Sequence, residues 1–171
     1  MRRRFRPPRR GRGVWLAAVV LLLVLRAWQE RTQVAPPEAL AEGEHRVERV
    51  FDGDTLLLAD GARVRLIGVD CPETVKPHHP VEPFGPEASA FTKSFVAGGN
   101  VRLQFDRERI DRYDRFLAYV FVGDAMLNEE LLRAGLARVE HRFHYSQSIK
   151  RQFDRAEEEA RQERRGIWSV D

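Results

Sequence analysis

Cysteine is almost absent from this chain of 171 residues. Cys71 is the only one, so no intramolecular disulfide can form and no thiolate cluster can hold a metal. Long apolar runs are equally scarce. The single one, residues 14–25, falls short of the about 20 apolar residues usual for a transmembrane helix, although Ala27 and Trp28 could extend it into a membrane interface. A charge excess is also missing from most of the chain. The formal net charge is +3, but residues 1–30 hold eight arginines against one glutamate. Residues 31–171 are left with 21 basic and 25 acidic side chains, a net charge of −4. A pI near 9.4 therefore says nothing about nucleic-acid binding by the rest of the chain. Any affinity for phosphate there must be local, from a few arginines and a bound cation.

What is present at the start is a charged region followed by an apolar one. Seven arginines in residues 1–13 and the run 14–25 have the layout of an export signal. Ala39-Leu40-Ala41 resembles a cleavage site but lies far from the apolar run, which favours an uncleaved anchor with its arginines in the cytoplasm and the bulk of the chain outside. The expected organisation is a signal-anchor segment over 1–28, a polar linker with Pro36-Pro37 over 29–44, and one folded domain over 45–171.

Residues 51–74, FDGDTLLLADGARVRLIGVDCPET, concentrate the chemistry. Two apolar runs separated by Asp60-Gly61 predict an antiparallel hairpin. A two-residue turn with Ala59 opposite Ala62 would set Asp54 against Ile67 and bring the acidic ends of the strands together. Side chains alternate along a strand, so Gly68 is expected to mark the bend that returns Asp70 to the side of Asp54. Carboxylates gathered there, with no histidine among them, suit a hard cation such as calcium or magnesium far better than zinc. Pro72 stiffens the backbone before Glu73, which can then stand near a metal as a water-activating base. Arg65 offers a planar fork of donors that matches phosphate oxygens.

With these residues in view, FDGDT, RVRLIGVDCPET, FGPEASAFTK, DRYDRFLAYVF and the terminal GIWS resemble the staphylococcal nuclease (thermonuclease) family, in unbroken order over residues 47–169. The resemblance implies an α+β fold, a five-stranded OB-fold β-barrel with three helices, and calcium-dependent hydrolysis of phosphodiesters in DNA and RNA to leave 3′-phosphates. Single strands are the expected preference, and no obligate protein partner is implied. Residue by residue, Asp54 and Asp70 match the calcium carboxylates, and Cys71 falls where the family uses a backbone carbonyl. Glu73 matches the general base, and Arg65 and Arg115 match the phosphate-binding arginines. Arg112 and Tyr113 precede Arg115 in the DRYxR order and are expected to touch substrate. His141 and Phe143 stand where tyrosines flank the nucleotide in the family, so base stacking would pass to them. Asp114 replaces a usual glycine. The alternative to an enzyme is a non-catalytic OB module that binds nucleic acid or protein.

The remaining elements follow from periodicity and breakers. Helices are expected over 86–97, 127–134 and from Ser146 or Ser148 to about 165, with strands over 101–105, 116–122 and 136–139. The run 106–115, DRERIDRYDR, reads on composition as a solvated loop, and His78-His79 as exposed loop histidines. Trp168 is expected to close the core. Cys71 is expected to contribute its carbonyl and not a nucleophilic thiol.

Overall fold

The computed structural model describes residues 40–74 and 82–169. The proposed anchor, most of the proposed linker and His78-His79 lie outside the described residues. Among those described, no helix is long and apolar enough to cross a membrane.

Among the described residues, eight strands and three helices form in the order β1 (Gly43–Val50), β2 (Thr55–Leu58), β3 (Arg63–Leu66), β4 (Val69–Asp70), α1 (Gly85–Phe95), β5 (Asn100–Gln104), β6 (Phe116–Val122), β7 (Ala125–Met126), α2 (Leu127–Arg133), β8 (Arg138–Val139) and α3 (Gln147–Gln162). A single 3-10 turn, Gly166–Trp168, follows. Pairing runs β1–β2–β3–β6–β5 and back to β1, so five strands close a barrel. Among the pairings of the described residues β3–β6 alone is parallel, with Arg65 beside Leu117. This is the α+β, OB-like architecture that the motifs led one to expect. Closure leaves none of the five main strands with an unpaired flank.

The first hairpin differs from expectation by one residue. Leu58 N–H donates to the Ala62 carbonyl at 2.9 Å, so the loop has three residues, Ala59, Asp60 and Gly61. Asp60 accepts the Ala62 N–H at 2.9 Å and Gly61 takes φ 88°, which together favour a three-residue turn over a two-residue one. Thr55 then pairs with Arg65, and Leu66 N–H donates to the Asp54 carbonyl at 2.9 Å. Asp54 therefore faces Leu66, not Ile67. The ordered fold also takes in the end of the expected linker: β1 starts at Gly43, and Leu40 is 3% exposed. The Leu40 carbonyl accepts from Arg109 and the Glu42 carboxylate from Phe105 N–H, which hold this segment against the barrel.

Leu56, Leu58, Val64, Leu66, Ile67, Leu103, Phe116 and Leu117 fill the interior, and Leu131, Leu132 and Phe153 bring α2 and α3 onto it. Asn128, fully buried on α2, donates to the Ile67 carbonyl at 2.9 Å and accepts the Val120 N–H at 3.0 Å, satisfying backbone groups where β3 ends. The chain then turns at Gly68, whose φ is 78°. A Cβ there would come 2.8 Å from the Phe153 ring, so the bend lies flush on α3 and only glycine fits. Helix α3 ends at Gln162, three residues before the expected stop, where Arg164 adopts φ 53°. Trp168 does not enter the core. It is half-buried, with the guanidiniums of Arg138 and Arg161 over its ring at 4.3 and 4.2 Å, so it seals the end of α3 by stacking.

Candidate active site

The loop before β2 is tightly seated. Thr92 of α1 donates to the Gly53 carbonyl at 2.6 Å, and a Cβ on Gly53 would meet the Cys71 Sγ at 2.7 Å. Asp54 N–H donates to Asp52 Oδ1 at 3.1 Å, which turns the chain into the strand. The Asp54 carboxylate is buried and fully engaged. Its Oδ2 accepts Cys71 N–H at 2.8 Å and lies 3.0 Å from Arg65 Nη1, while Oδ1 accepts the Thr55 hydroxyl at 3.1 Å. Burial raises its pKa well above the usual carboxylate range; Asp52 and Asp70 push the same way, against Arg65 and the Cys71 N–H. Arg65, 6% exposed, also donates from Nη2 to Asp70 Oδ1 at 2.8 Å. One guanidinium therefore bridges the two carboxylates, and the Gly68 turn does return Asp70 to the side of Asp54.

Arg115 reaches the same place from the loop before β6. Its Nη1 lies 3.5 Å from the Thr55 hydroxyl that Asp54 holds. Its Nε and Nη2 are both 2.7 Å from Asp111 Oδ2, and Asp111 Oδ1 accepts the N–H groups of Tyr113 and Arg115 at 2.8 and 3.0 Å. Asp111 is the organiser of this loop. Asp114 adopts φ 57°, the left-handed conformation that favours glycine, and its side chain is exposed, so the carboxylate that pairs with Arg115 is Asp111 and not Asp114. The run 106–115 is the largely exposed loop that its composition suggests, but two of its acids are engaged. The Asp111 side chain is 6% exposed, and Asp106 accepts from Tyr119 Oη at 2.7 Å and Ser146 N–H at 2.8 Å.

These side chains line one open cleft of about 340 Å³. Asp54, Arg65, Asp70, Glu73, Arg112, Tyr113, Arg115 and Phe143 are in its wall, as expected from their motifs. The Glu73 backbone is fixed from across the loop, its N–H donating to Glu82 Oε2 and its carbonyl accepting Glu82 N–H. Tyr113 is 54% exposed, with the guanidiniums of Arg112 and Arg115 over its ring at 4.8 and 5.4 Å. Two expected residues are not in the wall. His141 turns toward α3, with Nε2 3.3 Å from Asp154 Oδ1. The Cys71 side chain is buried behind the loop, and burial raises its thiol pKa well above the ordinary value, which leaves too little thiolate for a nucleophile. Residues that sequence reasoning passed over are Asp111, Glu108, Glu140 and Arg142. Asp111 stands four before Arg115, a spacing hidden in an alternating run of acids and bases.

The wall holds four arginines against seven carboxylates. Without a cation it would repel an anionic substrate, and its donors are all oxygens, which fits calcium or magnesium. Among the described residues no three His, Cys, Asp or Glu side chains converge as a ready cage. The oxygens within reach of a cation there are those of Asp54 and Asp70, with backbone oxygen and water to complete the coordination that hard cations accept.

An OB-like barrel with acids and arginines assembled at one end of its first hairpin defines a phosphate-handling member of that fold class. The family described as Staphylococcal nuclease homologue matches residues 63–170. A thermonuclease of Staphylococcus hyicus is 39% identical over 90% of this chain and 95% of its own length. A thermonuclease of Staphylococcus intermedius is 47% identical over 71% of this chain and 74% of its own, and endonuclease YncB of Bacillus subtilis (strain 168) is 40% identical over 72% and 60%. The chain belongs to the staphylococcal nuclease family.

Proposed function

We infer that this protein is a nuclease that hydrolyses phosphodiester bonds in nucleic acids, and that it does so with calcium, on DNA and RNA, leaving 3′-phosphates. The observation that carries the reading is the convergence of Asp54, Asp70, Glu73, Arg65 and Arg115 on one cleft. A non-catalytic binding module has no use for a carboxylate set beside two phosphate-matching guanidiniums.

Asp54, Asp70 and the Cys71 carbonyl are the proposed calcium ligands. When bound, calcium supplies positive charge that draws the diester in and offsets the acids around it. Arg65 and Arg115 hold the non-bridging oxygens. Attack by water forms a phosphorus–oxygen bond and turns a singly charged diester into a doubly charged five-coordinate species, on which both guanidiniums tighten. Glu73 accepts the proton of the attacking water. The bond to the 5′-oxygen breaks, and that oxygen leaves as a hydroxyl after taking a proton from solvent. Tyr113, Arg112 and Phe143 hold the flanking nucleotide, favouring single strands whose bases are free to stack.

The proposed arrangement of the whole chain is a membrane anchor or signal over 1–28, a tether that ends before Leu40, and the nuclease domain from Leu40 onward, acting outside the cytoplasm. The direct test is to digest end-labelled denatured DNA with the full chain, with calcium and with excess chelator, and to identify the new ends. Calcium-dependent cleavage giving 3′-phosphates is expected. Undiminished cleavage under chelation would remove calcium from the reading, and 5′-phosphate products would overturn the assigned bond.

A further inference from the structure

Arg142 contributes a guanidinium to the cleft that the reaction described above does not use. Its side chain is 83% exposed, yet it is not loose. It forks onto Glu140, whose side chain is 10% exposed: Oε2 accepts Nε at 2.8 Å and also Nη2, and Oε1 accepts the Arg142 N–H at 2.8 Å. Glu140 is in turn anchored by its backbone, its N–H donating to the Gly68 carbonyl at 2.9 Å and its carbonyl accepting the Tyr145 hydroxyl at 3.2 Å. Hydrogen bonds from Arg142 hold the Glu140 carboxyl below its usual range against the effect of burial, so the anchor stays ionised. Among the described residues Nη1 of Arg142 has no hydrogen-bond partner.

The arm enters from a different strand than Arg115 does. Arg142 follows β8, which pairs with β4 and sets Arg138 beside Asp70, whereas Arg115 precedes β6, which pairs with β3. Both line the same cleft as Arg65. A polynucleotide crossing a centre built on Arg65 carries further phosphates on either side of the one being cut. We propose that Arg142, held out by Glu140, binds a phosphate next to the scissile one and so makes the enzyme favour polymeric strands over substrates with a single diester. An ordinary exposed ion pair would contribute little and would not need a nearly buried acid as its base. Here the acid removes the freedom a lone arginine would lose on binding, and the planar fork leaves one edge for phosphate. Because residues 31–171 are net acidic, such a contact is not supplied by bulk charge.

The proposal rests on the nuclease reading, and the test separates the two. Steady-state hydrolysis by the full chain in calcium is measured on d(TpT), which has one phosphate, and on a dT12 oligonucleotide, for wild type, Arg142→Ala, Arg142→Lys and Glu140→Gln. Arg142→Ala should reduce the ratio of kcat/KM on dT12 to that on d(TpT) by about tenfold, the factor of roughly 1.4 kcal/mol expected for one phosphate contact. The loss should appear in KM, with Arg142→Lys between the two. The slope of log kcat/KM on dT12 against log salt should also shrink by about 0.7 on losing one contact to a single strand. If d(TpT) turns over too slowly to read, that slope decides alone. Arg142 is exposed, so its variants should fold; Glu140→Gln should move both readouts in the same direction. An unchanged ratio and slope in Arg142→Ala would overturn the proposal while leaving the nuclease intact. Failure of the wild type to cleave either substrate would instead defeat the nuclease reading.

Discussion

Asp111 grips Arg115 from one side only: both Nε and Nη2 lie 2.7 Å from the same oxygen, Oδ2, and Nη1 is left pointing to the Thr55 hydroxyl at 3.5 Å. The arginine that would meet the transition state is thereby aimed before substrate arrives. Asp111→Asn keeps an acceptor for the backbone N–H groups of Tyr113 and Arg115 but loses the charge that aims the side chain. It should lower kcat by roughly tenfold or more, with a smaller effect on KM, because slight misplacement of a positioned group is costly. Steady-state kinetics on denatured DNA checks this, and an unaltered kcat would contradict it.

Arg65 spans Asp54 and Asp70 with two separate nitrogens, 3.0 and 2.8 Å from their oxygens. Lysine carries the charge but has one nitrogen and no plane. Arg65→Lys should therefore cost on the order of 10²–10³ in kcat, the loss seen when a transition-state donor is removed. A rate within a few-fold of wild type would show that charge alone suffices at this position.

Gly68 makes the turn that returns Asp70 to the site, at φ 78°, and an added Cβ would lie 2.8 Å from the Phe153 ring. Gly68→Ala should destabilise the fold by roughly 1–3 kcal/mol from backbone strain and overlap with the ring. Urea denaturation followed by tryptophan fluorescence measures it; an unshifted midpoint would contradict the packing described.

Asp106 gives a pH signature. Burial alone would raise its pKa, but hydrogen bonds from Ser146 N–H, Tyr119 Oη and Arg107 N–H outweigh that and hold it below the usual range. The ionised form thus stabilises the fold above the unfolded-state value of about 3.9, and that contribution is lost as pH falls through the lower folded value. Asp106→Asn should be less stable than wild type at pH 7 by roughly 1 kcal/mol after allowing for solvent screening, with the gap narrowing below about pH 4. Thermal denaturation across that range reads it out, and a gap constant with pH would contradict it.

Local chemistry was the most legible part of the sequence. Asp54, Arg65, Asp70 and Glu73 lie within twenty residues of a hairpin, so spacing and turn signals alone nearly assemble them. The hairpin register slipped by one because an Asp-Gly turn closes equally well with two or three residues. What decides between them is the Asp60 hydrogen bond to Ala62, which sequence does not display. The closing β3–β6 pair joins segments about fifty residues apart, and no local periodicity reports such a contact. Asp111 and the Glu140–Arg142 arm were hidden for a related reason. Each is an acid two to four residues from its arginine, the pattern of any solvated surface, and only burial of the acid distinguishes them. His141 was placed by its neighbours in the chain, whereas Asp154 on α3 decides where it turns.

In the proposed reaction the cleft between Asp54 and Arg115 hydrolyses diesters, with Glu73 taking the proton of water. The most direct measurement is the single-turnover rate of Glu73→Gln on dT12 in saturating calcium, alongside its binding of the same strand. A rate reduced at least about 10²-fold with binding retained is the predicted result; a rate within twofold of wild type would contradict the account.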